Sequence, residues 1–463
     1  MISNKTLAFS LFLGLAVMLS SPGWAAPGDE IPTGEPFTGR VLLEGLESPW
    51  GMIWGPGNKL WITERQGKRI IEVDPATGRK TTLATIDEVH TGPQHEGLLG
   101  LALAPDFDQS GWLYVNYTYM DGRAEKHKVA RLRYDAKNKK LGAPETIIKG
   151  LPAGDDHQGG RLAFGPDGYL YFSKGELGHN QGTNRCKPNE AQRLPTQAEV
   201  DAKDWSAYVG KVLRLSPDGG IPADNPVING VRSHIYTYGH RNPQGLVFVG
   251  DNLFEAEHGP STDDELNRLV SGGNYGWPNV AGFIDDQAYA YIDWPKVDVC
   301  PKLAADVYLS DKYPQVKESE FKADNFVPPV KTLFTVPTGY SFADPKYGEV
   351  AYLGNATIAP SSVDYYPADG PVKLWRNSLL VSTLKNGSIY RVPLSSDLLH
   401  AQGDLEKMFT SQNRYRQVLV SPDGLSIYVI TDSDGHVIGE DGLPAETMKN
   451  PGAILVFDYQ GAK

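Results

Sequence analysis

The chain has 463 residues, with 50 Gly, 34 Pro, 23 Tyr and 9 Trp, and a formal net charge of -12. That acidity speaks against binding nucleic acid or anionic membranes through the overall field, and it gives any local basic cluster added meaning. Abundant turn formers with frequent aromatics suit many short strands joined by turns.

Residues 1–25 read as a secretory signal peptide. Lys5 supplies the positive region, Leu7–Leu19 the apolar stretch, and Gly23-Trp24-Ala25 the small residues before a cleavage site. The apolar run is short for a bilayer span, and a single membrane anchor is the competing reading. The expectation is therefore an exported mature chain, 26–463, periplasmic or secreted. Cys186 and Cys300 match no metal-ligand spacing. In an exported protein they either pair as a disulfide or stay as two thiols.

A turn followed by an apolar–aromatic strand and a polar cluster recurs along the chain. The copies are Trp54–Glu64, Ala104–Asn116, Phe164–Lys174, Val249–Glu257, Trp375–Thr383 and Ser421–Thr431. One such sheet cannot cover both of its own faces, so radial repetition is the economical arrangement. The spacing predicts an all-β fold, a six-bladed β-propeller. A β-sandwich with a second domain is the alternative, and no low-complexity linker supports it. Asn274–Asp324 exceeds the repeat and reads as a functional insertion on one face. Short helices are expected over Pro195–Lys203, where Thr196 and Glu199 form a capping pattern, and over Asp263–Val270.

Three clusters carry chemistry. Asp155-Asp156-His157 places an imidazole beside carboxylates, an arrangement suited to general-base work, though spacing alone favours a surface-loop histidine with acidic neighbours. Arg241, Lys385, Arg414 and Arg416 lie at strand ends, which a propeller would gather round one axial opening. Together they would suit a polyanionic ligand, while for any one of them an ordinary surface ion pair is the blander account. Glu257–Glu265 is rich in oxygen ligands of the kind calcium prefers; the alternative is a solvated acidic loop.

At these residues the chain resembles the soluble pyrroloquinoline-quinone (PQQ)-dependent glucose dehydrogenases, from about Phe37 to the C-terminus. The resemblance rests on Gly239-His240-Arg241-Asn242-Pro243-Gln244-Gly245, on Gly272–Gly282 (GGNYGWPNVAG), on Asn325–Pro329 and on Asn413-Arg414-Tyr415-Arg416. It implies a six-bladed propeller that oxidises an aldose at its anomeric hydroxyl and passes a hydride to PQQ. An external electron acceptor then takes the electrons. His157, preceded by Asp156, resembles the general base, and Arg241 the arginine over the reacting quinone carbonyl. Asn242, Thr357, Lys385, Arg414 and Arg416 match the rest of the cofactor-binding set. The carbonyls of Gly259 and Pro260 match those that hold a catalytic calcium. Glu265, Tyr275, Ala281, Phe283, Asp285 and Glu318 match a second, structural calcium cluster that supports a homodimer in such enzymes.

Three positions depart from that pattern. Glu176 stands where the base's aspartate partner is expected. His95 replaces a glutamine, and Asn355 replaces a tryptophan that packs on the sugar. Gln181 and Tyr352 keep the remaining substrate-site identities. Two other readings compete: a calcium-bound propeller hydrolase of sugar lactones, and a catalytically silent sugar-binding propeller.

Overall fold

The structure is a computed structural model. It describes residues 35–302, 312–337, 339–340, 350, 352–439 and 441–461. The signal-peptide expectation falls on residues outside this set.

Alternation within each strand decides the architecture. In the strand Lys59–Glu64, Leu60 and Ile62 point to one side and Trp61 to the other, and all three are fully buried. Leu60 and Ile62 join Met52, Tyr428, Ile430 and Val456 in one core, while Trp61 joins Leu101, Leu113 and Val115 in the next. A sheet with two apolar faces needs a neighbour on each side, and six sheets in a ring provide both. Each such side chain contributes about 1.5–3 kcal/mol on burial.

Six antiparallel sheets of four main strands form the blades. Their first strands are Pro49–Gly55, Leu98–Leu103, Gly159–Phe164, Pro243–Val249, Pro360–Tyr366 and Tyr415–Val420. These touch one another in that order, the last returning to the first, so they line the axis. The ring closes through the chain ends: Phe37–Leu43 pairs with Ile454–Tyr459 as the outer strand of the sixth blade. All six sequence repeats occupy the passage from first to second strand of a blade.

One expected helix forms, at Gln197–Asp201, with the Thr196/Glu199 capping box in place. The other does not. Asp264–Leu269 is the third strand of the fourth blade, in full register with Leu253–Glu257. Pairing inside a sheet outweighs the weak helical preference of so short a segment.

Two of the insertions between blade strands meet each other. One, 175–210, joins the second and third strands of blade 3; the other, 270–330, joins the third and fourth strands of blade 4. The second climbs beside blade 3, where Asn274 bridges Tyr238, and Asn180 of the first bonds to Ile292 and Trp294 of the second. Cys186 and Cys300 form a disulfide between the two insertions. The thiol alternative is thereby excluded. Among the described residues no helix is long and apolar enough to cross a membrane.

Candidate functional site

Every first strand begins, and most second strands end, on the same face of the ring. The residues just outside those ends enclose a cavity of about 920 Å³. His95, His157, Arg241, Thr357 and Arg414 each precede a first strand, and Trp50 lies at the start of one. His258, Lys385 and Asp432 each follow a second strand. One face of six blades therefore supplies the whole lining.

His157 sits in the turn before Gly159–Phe164 with φ 38°, a left-handed conformation uncommon for a residue with a side chain. Such a geometry costs on the order of 1–3 kcal/mol and survives only where the surroundings impose it. Here the opposing strand imposes it: a Cβ on Gly175 would collide with the His157 carbonyl, so only glycine lets the two segments meet. His157 Nδ1 lies 2.6 Å from Glu176 Oε1, and Glu176 is fully buried. A carboxylate only accepts, so the proton resides on Nδ1 and Nε2 keeps its lone pair. On the other side Asp156 Oδ1 lies 3.6 Å from His157 Nε2 and accepts the His157 backbone N–H at 2.8 Å. Burial would raise the Asp156 carboxyl, but His157, His95, that N–H and Arg241 together hold it well below the usual carboxylate range.

Gln181 ties Glu176, the partner of His157, to Arg241. Its Nε2 donates to Glu176 at 3.2 Å, and its Oε1 accepts from Arg241 Nε and Nη2 at 2.9 and 2.6 Å. Arg241 also donates to the His258 carbonyl and lies 5.5 Å from the centre of the Trp277 ring. Asn242 Nδ2 and His258 Nε2 are buried polar atoms without a partner on residues that line the cavity.

The remaining cations line the same cavity. Arg414 and Arg416 grip Asp432 from both sides, at 3.1 and 2.8 Å. Burial raises Asp432, yet the two guanidiniums overcome this and bring it down to about 2. Lys385 donates to the Asn355 carbonyl at 2.8 Å and to Thr357 Oγ1 at 3.0 Å. Burial lowers its ammonium, opposed by Asp264. Four cations and two unpaired polar atoms around one void form a receptor for a ligand rich in anionic oxygens.

Asp264 fixes the Gly259-Pro260 turn. It accepts from the N–H of Gly259 at 2.8 Å and from those of Ile358 and Ala359 at 2.5 and 2.8 Å. Gly259 and Pro260 line the same cavity as Arg241 and Lys385.

Comparison with known proteins gives a family for this geometry. The family model described as Glucose / Sorbosone dehydrogenase matches residues 46–292 and 335–439. The chain belongs to the glucose/sorbosone dehydrogenase family. It is 42% identical to quinoprotein glucose dehydrogenase B of Acinetobacter calcoaceticus over 438 residues, which cover 92% of each chain. It is 28% identical to the aldose sugar dehydrogenase YliI of Escherichia coli, over 93% of this chain and 97% of that one. The PQQ-bound aldose sugar dehydrogenase of Streptomyces coelicolor matches with a TM-score of 0.61 and 28% identity, over 92% of this chain and all of that one.

The positions expected to depart from the glucose/sorbosone dehydrogenase pattern have clear surroundings. Glu176, a methylene longer than aspartate, reaches His157 without a gap. Asn355 turns its amide to Ser261 Oγ at 2.9 Å and offers no aromatic face to a sugar. Tyr352 remains at the rim, half-exposed. His95 is 35% exposed, and its Nε2 lies 3.6 Å from Asp156 Oδ1.

The second predicted calcium set lies outside the cavity. Glu318 accepts from the N–H groups of Ala281 and Asp286, and Glu265 accepts from that of Gly282. Burial, reinforced by neighbouring acids, pushes Glu318 up to about 8 and Asp263 up to about 7, and raises Glu265 and Asp285. The amides brace these carboxyls without supplying a positive charge. Phe283 lies at the surface, and Tyr275 stacks on His240.

Three features escaped the sequence. Asp432, just past the sixth repeat, organises both arginines. His240, Glu255 and Glu257 form a buried cluster under Arg241 with ligand atoms within 4.8 Å of one another. Arg161, in the axial strand of blade 3, donates to Gln244, Ser361 and Gln417 and packs 4.4 Å from the Trp50 ring. Only Arg161 had a sequence signal: a charge inside an otherwise apolar strand.

Proposed function

We propose that the protein is an exported PQQ- and calcium-dependent aldose dehydrogenase that oxidises the anomeric C–OH of a sugar to the lactone. On this reading residues 1–25 are a cleaved signal peptide and 26–463 a single propeller domain in the periplasm or outside the cell. The observation that carries it is a strained, carboxylate-oriented histidine facing a cavity ringed by four cations.

The residues fit the cofactor. Arg414, Arg416, Lys385, Thr357 and Asn242 would hold a tricarboxylate quinone, and the carbonyls of Gly259 and Pro260 would hold calcium. PQQ, when bound, supplies the acceptor for the hydride that leaves the anomeric carbon, with calcium polarising its carbonyl. The protein's part is proton handling and placement. His157 Nε2 takes the hydroxyl proton as the hydride departs. Glu176 fixes the tautomer and stabilises the imidazolium that results, as a carboxylate does for a general-base histidine. Gln181 locks Arg241 to the same carboxylate, so base and cation keep one spacing. Glu265, Tyr275, Ala281, Phe283, Asp285 and Glu318 would enclose a second calcium with a structural role.

The test is reconstitution of cofactor-free protein with PQQ and calcium, followed by dye reduction across a panel of aldoses. No reduction with any aldose would overturn the proposal. His157→Ala should abolish turnover and leave PQQ binding intact.

A further inference from the structure

A base that accepts a proton in every turnover must also lose it. His157 is only 9% exposed, and its Nδ1 faces Glu176, which has no exposed surface. The second Glu176 oxygen is buried as well, so that side offers no exposed surface. The other carboxylate, Asp156, is 32% exposed and presents one oxygen, Oδ1, to two imidazoles: His157 Nε2 and His95 Nε2, each at 3.6 Å. An adjustment of about 0.5 Å brings either into hydrogen-bond contact. His95 lines the same cavity and is itself 35% exposed to it.

The geometry points to His95 as the proton exit of the site, passing the proton from His157 through Asp156 to solvent. This rests on the reading of His157 as the base. The Nε2–H bond of His157 breaks as Oδ1–H of Asp156 forms; that bond breaks as Nε2–H of His95 forms; Nδ1–H of His95 is released to water. No electrons move, and each group returns to its starting state after the His95 ring regains its original tautomer through solvent. A glutamine at this position could hydrogen-bond but could not carry a proton.

His95 is built into place. Arg65 donates to the Glu96 carbonyl at 3.1 Å, Glu96 accepts from the Gln94 N–H at 3.1 Å, and the Gly97 N–H donates to Thr118 at 2.8 Å. The charged and titratable groups that face it are Asp156 and His157 from blade 3, Arg65 from blade 1, Arg416 from blade 6 and His258 from blade 4. Burial, with His157 and the two arginines, outweighs Asp156 and lowers His95 to about 4, so the ring is neutral at neutral pH and holds an accepted proton only briefly before passing it on.

The test uses the PQQ- and calcium-loaded enzyme at saturating aldose and dye, at low and high buffer concentration. His95→Gln should lose about tenfold in kcat at low buffer, with recovery on adding imidazole. A fall that neither buffer nor imidazole restores, or no fall at all, overturns the relay. His157→Ala separates the two ideas: if it still turns over, the base assignment fails; if it is dead while His95→Gln is insensitive to buffer, only the relay fails. A second readout needs no turnover. Histidine 15N NMR of the full chain should show the His157 titration shifting in His95→Gln and in Asp156→Asn. An unchanged His157 titration in both variants also overturns it.

Discussion

Nδ1 of His157 lies 2.6 Å from Oε1 of Glu176, across the seam between the first and second strands of one blade. The pair needs Gly175, because any side chain there would push the His157 backbone out of reach. The geometry of the pair is thus a property of strand pairing, and the longer glutamate arm is accommodated by it.

Glu176→Gln keeps the volume and removes the charge that holds the Nδ1 tautomer. An amide can present its NH2 to Nδ1, which would place the proton on Nε2 and block the base. The expected result is a fall in kcat of roughly 10²–10⁴-fold with little change in PQQ affinity. Steady-state kinetics beside a PQQ titration checks both halves.

Asp432 offers a prediction on pH. Its folded pKa is brought down to about 2, below the 3.8 of an ordinary aspartate. A depressed carboxyl contributes stability that is present above the unfolded value and lost as pH falls through the folded one. The contribution is on the order of 2 kcal/mol. Asp432→Asn should therefore lower the melting temperature of cofactor-free protein at pH 7, and the difference from wild type should shrink between about pH 4 and pH 2. PQQ should stabilise the variant, because its carboxylates can meet the two guanidiniums left without Asp432. Thermal melts across pH, with and without PQQ, provide the measurement.

The repeat was legible because each blade must bury two faces, and that demand writes Leu60, Trp61 and Ile62, or Tyr171 and Phe172, into alternating positions. The strand ends were legible because a propeller gathers them: His157, Arg241, Lys385 and Arg414 do line one void. What escaped was partner choice. Nothing local to Asp432 says that it pairs with Arg414 and Arg416 on the adjoining strand. Asp263–Val270 reads as a helix because eight residues show too little periodicity to reveal a strand whose partners lie elsewhere in the chain. Gln181 was expected at the substrate; it also bridges Glu176 and Arg241, a role set by the path of an insertion.

Arg161 joins the axial strands of blades 3, 4, 5 and 6 through Gln244, Ser361 and Gln417, and its guanidinium packs on Trp50 of blade 1. Burial lowers this arginine to about 9, with Arg416 adding to the effect. Arg161→Met would relieve that desolvation but leave two buried carbonyls and one amide oxygen without this donor. Each costs about 1–3 kcal/mol. The expected net loss is roughly 3–5 kcal/mol. A drop in the denaturant midpoint with the KM for aldose nearly unchanged would support a structural role for the axial clasp.

Glu318 tests the second cation site separately from the cavity. It lies on the blade 4 insertion, while the cavity calcium would sit at Gly259 and Pro260. With the buried Glu265 and Asp263 and the exposed Asp285 it forms an acidic group that a divalent cation would neutralise. Chelation of the loaded protein should lower its melting temperature and abolish activity together, since both sites empty. Glu318→Gln should lose one equivalent of bound calcium by elemental analysis and show a smaller melting-temperature gain on calcium addition. Its kcat at saturating PQQ and calcium should stay within about threefold of wild type, because cation binding at the insertion stabilises the scaffold without touching the reacting atoms. An unchanged calcium count in Glu318→Gln would remove the second site from the account while leaving the cavity calcium untouched.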